Sequence, residues 1–419
     1  MSDARKQEHM SDSYATGPVM DTFEERRQDY IAYVLQKPIL DNNRSIWHEL
    51  ICMLGGVRVA EDPIFESLNF INERNDCADF AVHTVLRLVY QFDPGRKEPT
   101  PNGKAFTLKF PPSQKVLAAA KETILNFKYW PDEPGIDSMC SWTENHYILF
   151  SAAAYLAGQL YPDEIFSNSG ETGLEKMARN RPRILRWLAM RYKSGFSEWL
   201  SNVYYEEDIG ALMSLVDLCL DDEIREKATK IIDLILLDMV LNQFKGVFGA
   251  THGRSYENNK KWAHLDSSAT TMKLLFGQGI YTKTGSMGAS PFVVSNYQIP
   301  PVLHEIFQDQ QVSIVNRQRC GFLIQDQEKW GWDYDSLEDG MLFFTNEGYL
   351  HPSAAATTIK MLDAFNWWEN AFFSDFKPFK GFLKAIAKLK LTKPTARLLE
   401  RDTCRNMRDE ANLYTYKTP

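Results

Sequence analysis

Residues 141–162 read SWTENHYILFSAAAYLAGQLYP, and from Asn145 to Pro162 no side chain carries a formal charge. The polar residues within the run, and an apolar part too short to cross a bilayer, argue against a membrane span. Helical periodicity over 144–160 instead predicts a helix that protein surrounds on all sides. Its neighbours differ in character. The stretch 113–128 (SQKVLAAAKETILNFK) has a charged face, and 174–193 carries Glu175, Lys176, Arg179, Arg183, Arg186 and Arg191. The stretches 76–92 and 209–220 are largely apolar, whereas 222–242 is strongly amphipathic. Further helical periodicity covers roughly 22–35, 44–54, 267–277 and 353–374, and strand patterns are hard to find. The expected class is therefore all-α. Buried helices alternating with half-buried ones fit two concentric rings, an (α/α) toroid, either a complete or an incomplete α/α barrel. A multi-helix bundle or an α-solenoid would give the alternation less regularly, and no fixed-period repeat is visible.

Composition bounds the function. A chain of 419 residues, 44% hydrophobic and 13% aromatic, can bury a large core in one domain or two. A net charge of −8 opposes a general nucleic-acid binder. The six cysteines, at 52, 77, 140, 219, 320 and 404, lack CxxC spacing, so neither a disulfide framework nor a metal site is expected. Cys52, Cys77 and Cys219 lie in apolar helical runs and read as buried free thiols. No cofactor is implied. The first twenty residues are polar and mixed in charge, without the apolar stretch of a signal peptide, which points to a soluble protein of the cytoplasm. The expected organisation is a disordered tail over 1–20, a toroid catalytic domain over 21–376 and a basic helical tail over 377–419. That tail opens KPFKGFLKAIAKLKLTK and reads as a solvated amphipathic helix, with membrane or partner docking as the other reading. Residues 278–350, rich in Gly, Pro, Tyr and Trp, are expected to form long loops with short strands over one rim. There Trp330, Trp332 and Tyr334 serve either as sugar platforms or as an aromatic core. NWWENAFF, residues 366–373, reads as a buried helix without chemistry.

If 76–92, 144–160, 209–220 and 267–277 are inner helices, the loops that lead into them open on one rim. Those loops hold Asn75–Asp76, Trp142–His146, Glu198–Asp208 and His252–Lys261, the four most polar and aromatic clusters of the chain. Convergence of separate segments is what an active site requires. Each cluster also has a local explanation. Ser141 and Glu144 have capping-box spacing, and of the pair Asp76 and Asp79 that opens the helix 76–92, N-capping and the helix dipole explain at least Asp76. His146 shares a stripe with Phe150, Ala153 and Ala157, as a core histidine would. His252, Arg254, Tyr256 and Lys260 could anchor a loop. In GFSEWLSNVYYEED, residues 195–208, Asp208 could cap a helix that begins at 209 and Tyr204 could be core. The same run offers Trp199, Tyr204 and Tyr205 beside Glu198, Glu206, Glu207 and Asp208, and aromatics next to carboxylates suit sugar rings.

WTENHYILF, GFSEWLSNVYYEED and HGRSY together resemble the toroid-fold polysaccharide lyases, similar to alginate and glucuronan lyases, over roughly residues 70–265. The resemblance implies β-elimination on a uronic acid. Asn145 matches an asparagine that neutralises the uronate carboxylate, and His146 matches the histidine of that pair. Arg254 and Tyr256 match an Arg–Tyr loop, at a tighter spacing than in alginate lyases.

The chemistry agrees with the residue types. The C5 proton becomes acidic when the carboxylate is paired with Asn145, Arg254 or a protonated Glu144. His146 or an ionised Tyr256 can take it, and Tyr256 can protonate the departing oxygen. Trp142, Glu144, His252, Trp199, Tyr204, Tyr205, Glu207, Asp208 and Lys260 are the expected substrate contacts, and the expected partner is an anionic oligo- or polysaccharide. An acidic protein must then attract a polyanion through local Arg254, Lys260, Lys261 and Lys245. A glycoside hydrolase on the same barrel, using Glu144 with Glu207 or Asp208, is the first alternative. A non-enzymatic helical scaffold is the second.

Overall fold

The computed structural model describes Met20 and residues 22–38, 44–96, 100–309, 314–321, 327–333, 335–346 and 351–403, the side chains of Gln327 and 399–403 excepted. Tyr334, Cys404 and the expected disordered tail up to residue 19 lie outside the described residues.

The architecture is all-α, and no strand occurs among the described residues beyond isolated bridges such as Gly103 with Ser295. The longer helices are α1 (Phe23–Gln36), α2 (Trp47–Leu54), α3 (Asp62–Asn72), α4 (Ala78–Arg87), α5 (Gln114–Asn126), α6 (Glu144–Leu160), α7 (Gly173–Ser194), α8 (Tyr204–Leu218), α9 (Asp222–Leu241) and α10 (Ser267–Phe276). After them come α11 (Pro301–Gln308), α12 (Leu337–Phe344), α13 (Ala355–Ala364), α14 (Lys380–Lys388) and α15 (Thr392–Thr403). A π-helical turn, Leu88–Phe92, extends α4.

Burial sorts these helices into two kinds. All ten residues of α4 are buried, as are all of α6 except Gln159 and all of α8 except Glu207. By contrast, α7 buries a stripe that includes Lys176, Asn180, Arg183, Ile184, Trp187 and Arg191, and α9 buries one built on isoleucines 224, 231, 232 and 235. α6 packs on α4, α7 and α8, α8 packs on α9, and the stripes of α7 and α9 also meet. The predicted alternation of buried and half-buried helices therefore holds, as an inner layer of α4, α6 and α8 and a cover of α7 and α9.

The inner helices run parallel. His83 of α4 bonds to the Leu149 carbonyl of α6 at 2.9 Å and to Ser214 of α8 at 3.1 Å. One turn further on, Arg87 reaches Asp217, and Tyr90 donates to the Leu156 carbonyl. Positions advance together along all three helices, so their N-terminal ends lie at one end of the layer. Close packing at the other end depends on missing side chains. A Cβ on Gly158 would lie 2.4 Å from the Gly173 carbonyl oxygen, where the end of α6 meets the start of α7.

Several local expectations fail, each because a distant partner outweighs a local one. α8 begins at Tyr204 rather than 209, which puts Asp208 inside the helix instead of at its cap. The acidic run that reads as a loop is held as helix by tertiary contacts. Glu206 accepts hydrogen bonds from Thr271 at 2.6 Å and from Ser286 at 2.5 Å. No capping box forms between Ser141 and Glu144, because Thr143 precedes α6 and its side chain makes no cap bond. Asp76 is not the N-cap of α4 either. Cys77 takes that place with φ of 70°, and Asp76 accepts the Cys140 amide at 2.9 Å. Residues 366–373 are not a helix. Asn366, at φ of 53°, ends α13, and Trp367–Glu369 form a 3-10 turn with Trp367 and Trp368 buried. Within 278–346 the chain forms α11 and α12 where loops with strands were expected, and Trp330 stacks on Trp332. α3, opened by Pro63 in its first turn, has no counterpart among the expected helices.

Candidate active site

At the N-terminal end of the inner layer, the four expected loops are tied to one another by their own side chains. Asp79, in the first turn of α4, is fully buried and accepts a hydrogen bond from His146 Nδ1 at 2.6 Å. His146 stacks on Phe80, with ring centroids 5.1 Å apart. Burial alone would lower the pKa of His146, but the Asp79 carboxylate, with Asp76 and Glu198 behind it, holds it above the ordinary histidine value. Burial also raises Asp79, and His146 only partly offsets this. The donor at Nδ1 leaves Nε2 as the ring's proton-accepting atom when the imidazole is neutral.

The second chain of contacts starts one residue earlier. Thr143 donates to the Asn145 side-chain oxygen at 2.8 Å, and the Asn145 amide donates to Glu198 at 3.1 Å. Glu198, fully buried in the loop before α8, pairs with Arg254. The Arg254 guanidinium lies 3.7 Å above the centre of the Tyr204 ring, and the Tyr204 and Tyr256 hydroxyls share a short hydrogen bond. Tyr204 is 8% exposed and Tyr256 54%, so this chain runs from the core out to solvent. The segment bearing Arg254 is bolted to the loop before α8 by its backbone. The Gly253 amide donates to the Trp199 carbonyl at 2.8 Å, and Ser201 donates to the Arg254 carbonyl at 2.7 Å.

His146, Asn145, Arg254, Tyr204 and Tyr256 are thus brought together. Glu198 and Asp79, noted in the sequence but not among the expected site residues, join them. A buried carboxylate must find a partner, whether it lies in the first turn of a helix, as Asp79 does, or in a loop, as Glu198 does. For Asp79 the partner is His146, and for Glu198 it is Arg254 with Asn145.

Other candidates sit elsewhere. Glu144 is fully buried, pairs with Arg191 and accepts the Ser197 amide at 2.6 Å, so its carboxylate ties α6 and α7 to the loop before α8. Asp208 is fully buried, and neither of its carboxyl oxygens has a hydrogen-bond partner. Burial first, and Glu198 second, raise its pKa well above the usual carboxylate value, against the opposing charge of Arg191. Tyr205 is a structural post: it donates to Asp238 at 3.0 Å and accepts the Leu200 amide. Trp142 is buried in a cage of Trp367, Phe372 and Phe373. His252 is buried and donates to the Leu200 carbonyl; burial lowers its pKa. Trp199 is half-buried and donates to Gln318 at 2.8 Å. Glu207 is half-buried, and Lys260 is exposed on the short turn Glu257–Lys261. No group of three or more His, Cys, Asp or Glu with the geometry of a metal site occurs among the described residues. No described helix is long and apolar enough to cross a membrane.

No family model, curated protein or solved structure matches this chain.

Proposed function

We propose that this protein is a carbon–oxygen lyase that cleaves uronic-acid-containing glycans by β-elimination on an (α/α) toroid. The observation that carries the reading is the pairing of a carboxylate-backed histidine with an Arg–Tyr–Tyr chain that opens to solvent. A uronate carboxylate beside Arg254 and Asn145 has its charge neutralised by a guanidinium and an amide, which acidifies the C5 proton. Neutral His146, held at Nδ1 by Asp79, takes that proton on Nε2. The C5–H electron pair forms the C4–C5 double bond, the C4–O bond breaks, and Tyr256 gives its phenolic proton to the leaving oxygen. The proton taken up by His146 then returns to solvent and the phenol is re-protonated, so no co-reactant is required.

Two further features support the reading. Three parallel inner helices direct the positive ends of their dipoles to this rim, which favours an anionic substrate despite a net charge of −8. Glu198 holds Arg254 from beneath while the Tyr204 ring supports its face, so the guanidinium is preorganised before substrate arrives. A hydrolase would need Glu144 free to act as an acid, yet both its oxygens are engaged by Arg191 and the amides of Ser197 and Glu198.

The test is an assay of the purified chain on glucuronan, alginate, other polyuronates and neutral glucans, following both near-ultraviolet absorbance and new reducing ends. The expected outcome is absorbance and reducing ends rising together on a polyuronate. Reducing ends without absorbance would replace elimination by hydrolysis, and neither signal on any polymer would remove the enzyme reading.

A further inference from the structure

The segment from Phe376 to Leu399 contains seven Lys or Arg and no Asp or Glu. With a net charge of −8 for the whole chain, the remainder carries −15 (−8 − 7). This basic block also carries exposed apolar side chains. Among the described residues, seven of the twenty exposed large hydrophobics lie between 372 and 398, including four of the five exposed phenylalanines.

The segment is anchored, so its outward face is defined. Lys384 pairs with Asp363 at 2.8 Å and Lys377 with Glu369 at 2.7 Å, and Lys380 lies 5.3 Å from the centre of the Trp368 ring. In α14, Leu383, Ile386 and Ala387 turn inward and are half-buried, a stripe at i, i+3 and i+4. Outward stand Phe382, 61% exposed, and Leu389, 66% exposed, beside Lys388, Lys390 and Lys393. Those three lysines make no ion pair with any described residue.

We infer that this face is a peripheral docking surface for an anionic phospholipid membrane, with the phenylalanine and leucine side chains entering the headgroup boundary and the lysines meeting the anionic headgroups. Charge complementarity selects the partner, since a single-sign basic strip on an otherwise acidic chain has only an anionic counterpart. The interleaving of exposed phenylalanines and leucines separates a lipid surface from a soluble polyanion, which would leave them in water. Long lysine stems can lie along the apolar layer while their ammonium groups reach the phosphates. This inference does not depend on the reading of the active site.

The test uses the full chain in flotation with phosphatidylcholine vesicles and with phosphatidylcholine–phosphatidylserine vesicles. Each surface lysine contributes roughly fivefold to binding at an anionic surface, so loss of three costs on the order of a hundredfold, and the charge-reversing triple variant K388E/K390E/K393E should bind the anionic vesicles at least that much more weakly. The pair F382S/L389S should also weaken binding, with the salt dependence unchanged. All five positions are exposed, so circular dichroism and thermal midpoint should match the parent. Equal binding to both vesicle types, or none at low salt, would overturn the inference. Loss on lysine reversal but not on F382S/L389S, with soluble polyglutamate competing, would reassign the face to an acidic protein partner.

Discussion

Two arginine–carboxylate pairs stand at opposite ends of the inner helices. At the C-terminal end, Arg87 of α4 meets Asp217 of α8 at 2.5 Å with both side chains fully buried. Ser295 donates to Asp217 at 2.5 Å, and burial still lifts that carboxyl to about 6 despite Arg87 and Ser295. At the N-terminal end, Arg254 meets a fully buried Glu198, but 23% of the Arg254 side chain remains exposed, stacked on a tyrosine. The sealed pair can only hold helices together. The open pair presents a positioned cation to whatever enters, and the same chemistry becomes scaffold or site according to whether one face is left to solvent.

The comparison breaks most directly at the open end. Tyr256→Phe and His146→Ala should each lower turnover on a polyuronate by on the order of 10²–10⁴-fold while circular dichroism stays unchanged. Glu144→Gln should retain measurable activity, because its carboxylate lies within the fold. A Tyr256→Phe variant with near-parental rates would remove the elimination step as assigned.

At the sealed end the effect should move from rate to stability. Asp217→Ala leaves Arg87 buried without its counter-charge, which costs about 3–5 kcal/mol. Denaturant titration should show that loss, while kcat of the folded fraction stays within a few-fold of the parent. A large fall in kcat would mean that the two ends are coupled.

The smallest effect sharpens the contrast through pH. His146 must be neutral to accept a proton, and its raised pKa means that kcat/KM climbs with pH through a value above the ordinary 6.5. In Asp79→Asn the largest lifting charge is gone, Asp76 and Glu198 remain, and the pKa falls toward the value that burial favours. The acidic limb should therefore shift to lower pH, and an unmoved limb would take His146 out of the proton transfer.

Layering was legible in the chain because burial leaves a trace in composition: α6 has almost no charged residue and α7 has many, although Lys176, Arg183 and Arg191 of α7 lie in its buried stripe. The approach of Asn145 to Glu198 was legible because the loops entering α6 and α8 share a rim, while Arg254 and Tyr256 join them through backbone bonds to the loop before α8. Less was visible where long-range contacts decide. Glu206 looks like a loop residue until Thr271 and Ser286, 65 and 80 residues away, satisfy it. Glu144 has the spacing of a cap, yet its partners are Arg191 and the amides of Ser197 and Glu198. Trp142 reads as a substrate contact until Trp367, Phe372 and Phe373 close around it. In each case the local pattern was real and a partner far along the chain outweighed it.

The hydrogen bond from Ser201 to the Arg254 carbonyl joins residues 53 positions apart, and the Gly253–Trp199 bond beside it closes the same span. Closing so long a stretch of free chain would be entropically expensive, but α8 and α9 fold back on each other as an antiparallel hairpin, with Tyr205 bonded to Asp238, and most of the span is taken up in that hairpin. The register of the arginine and its two tyrosines is therefore a property of the closed hairpin as much as of the loops that carry them.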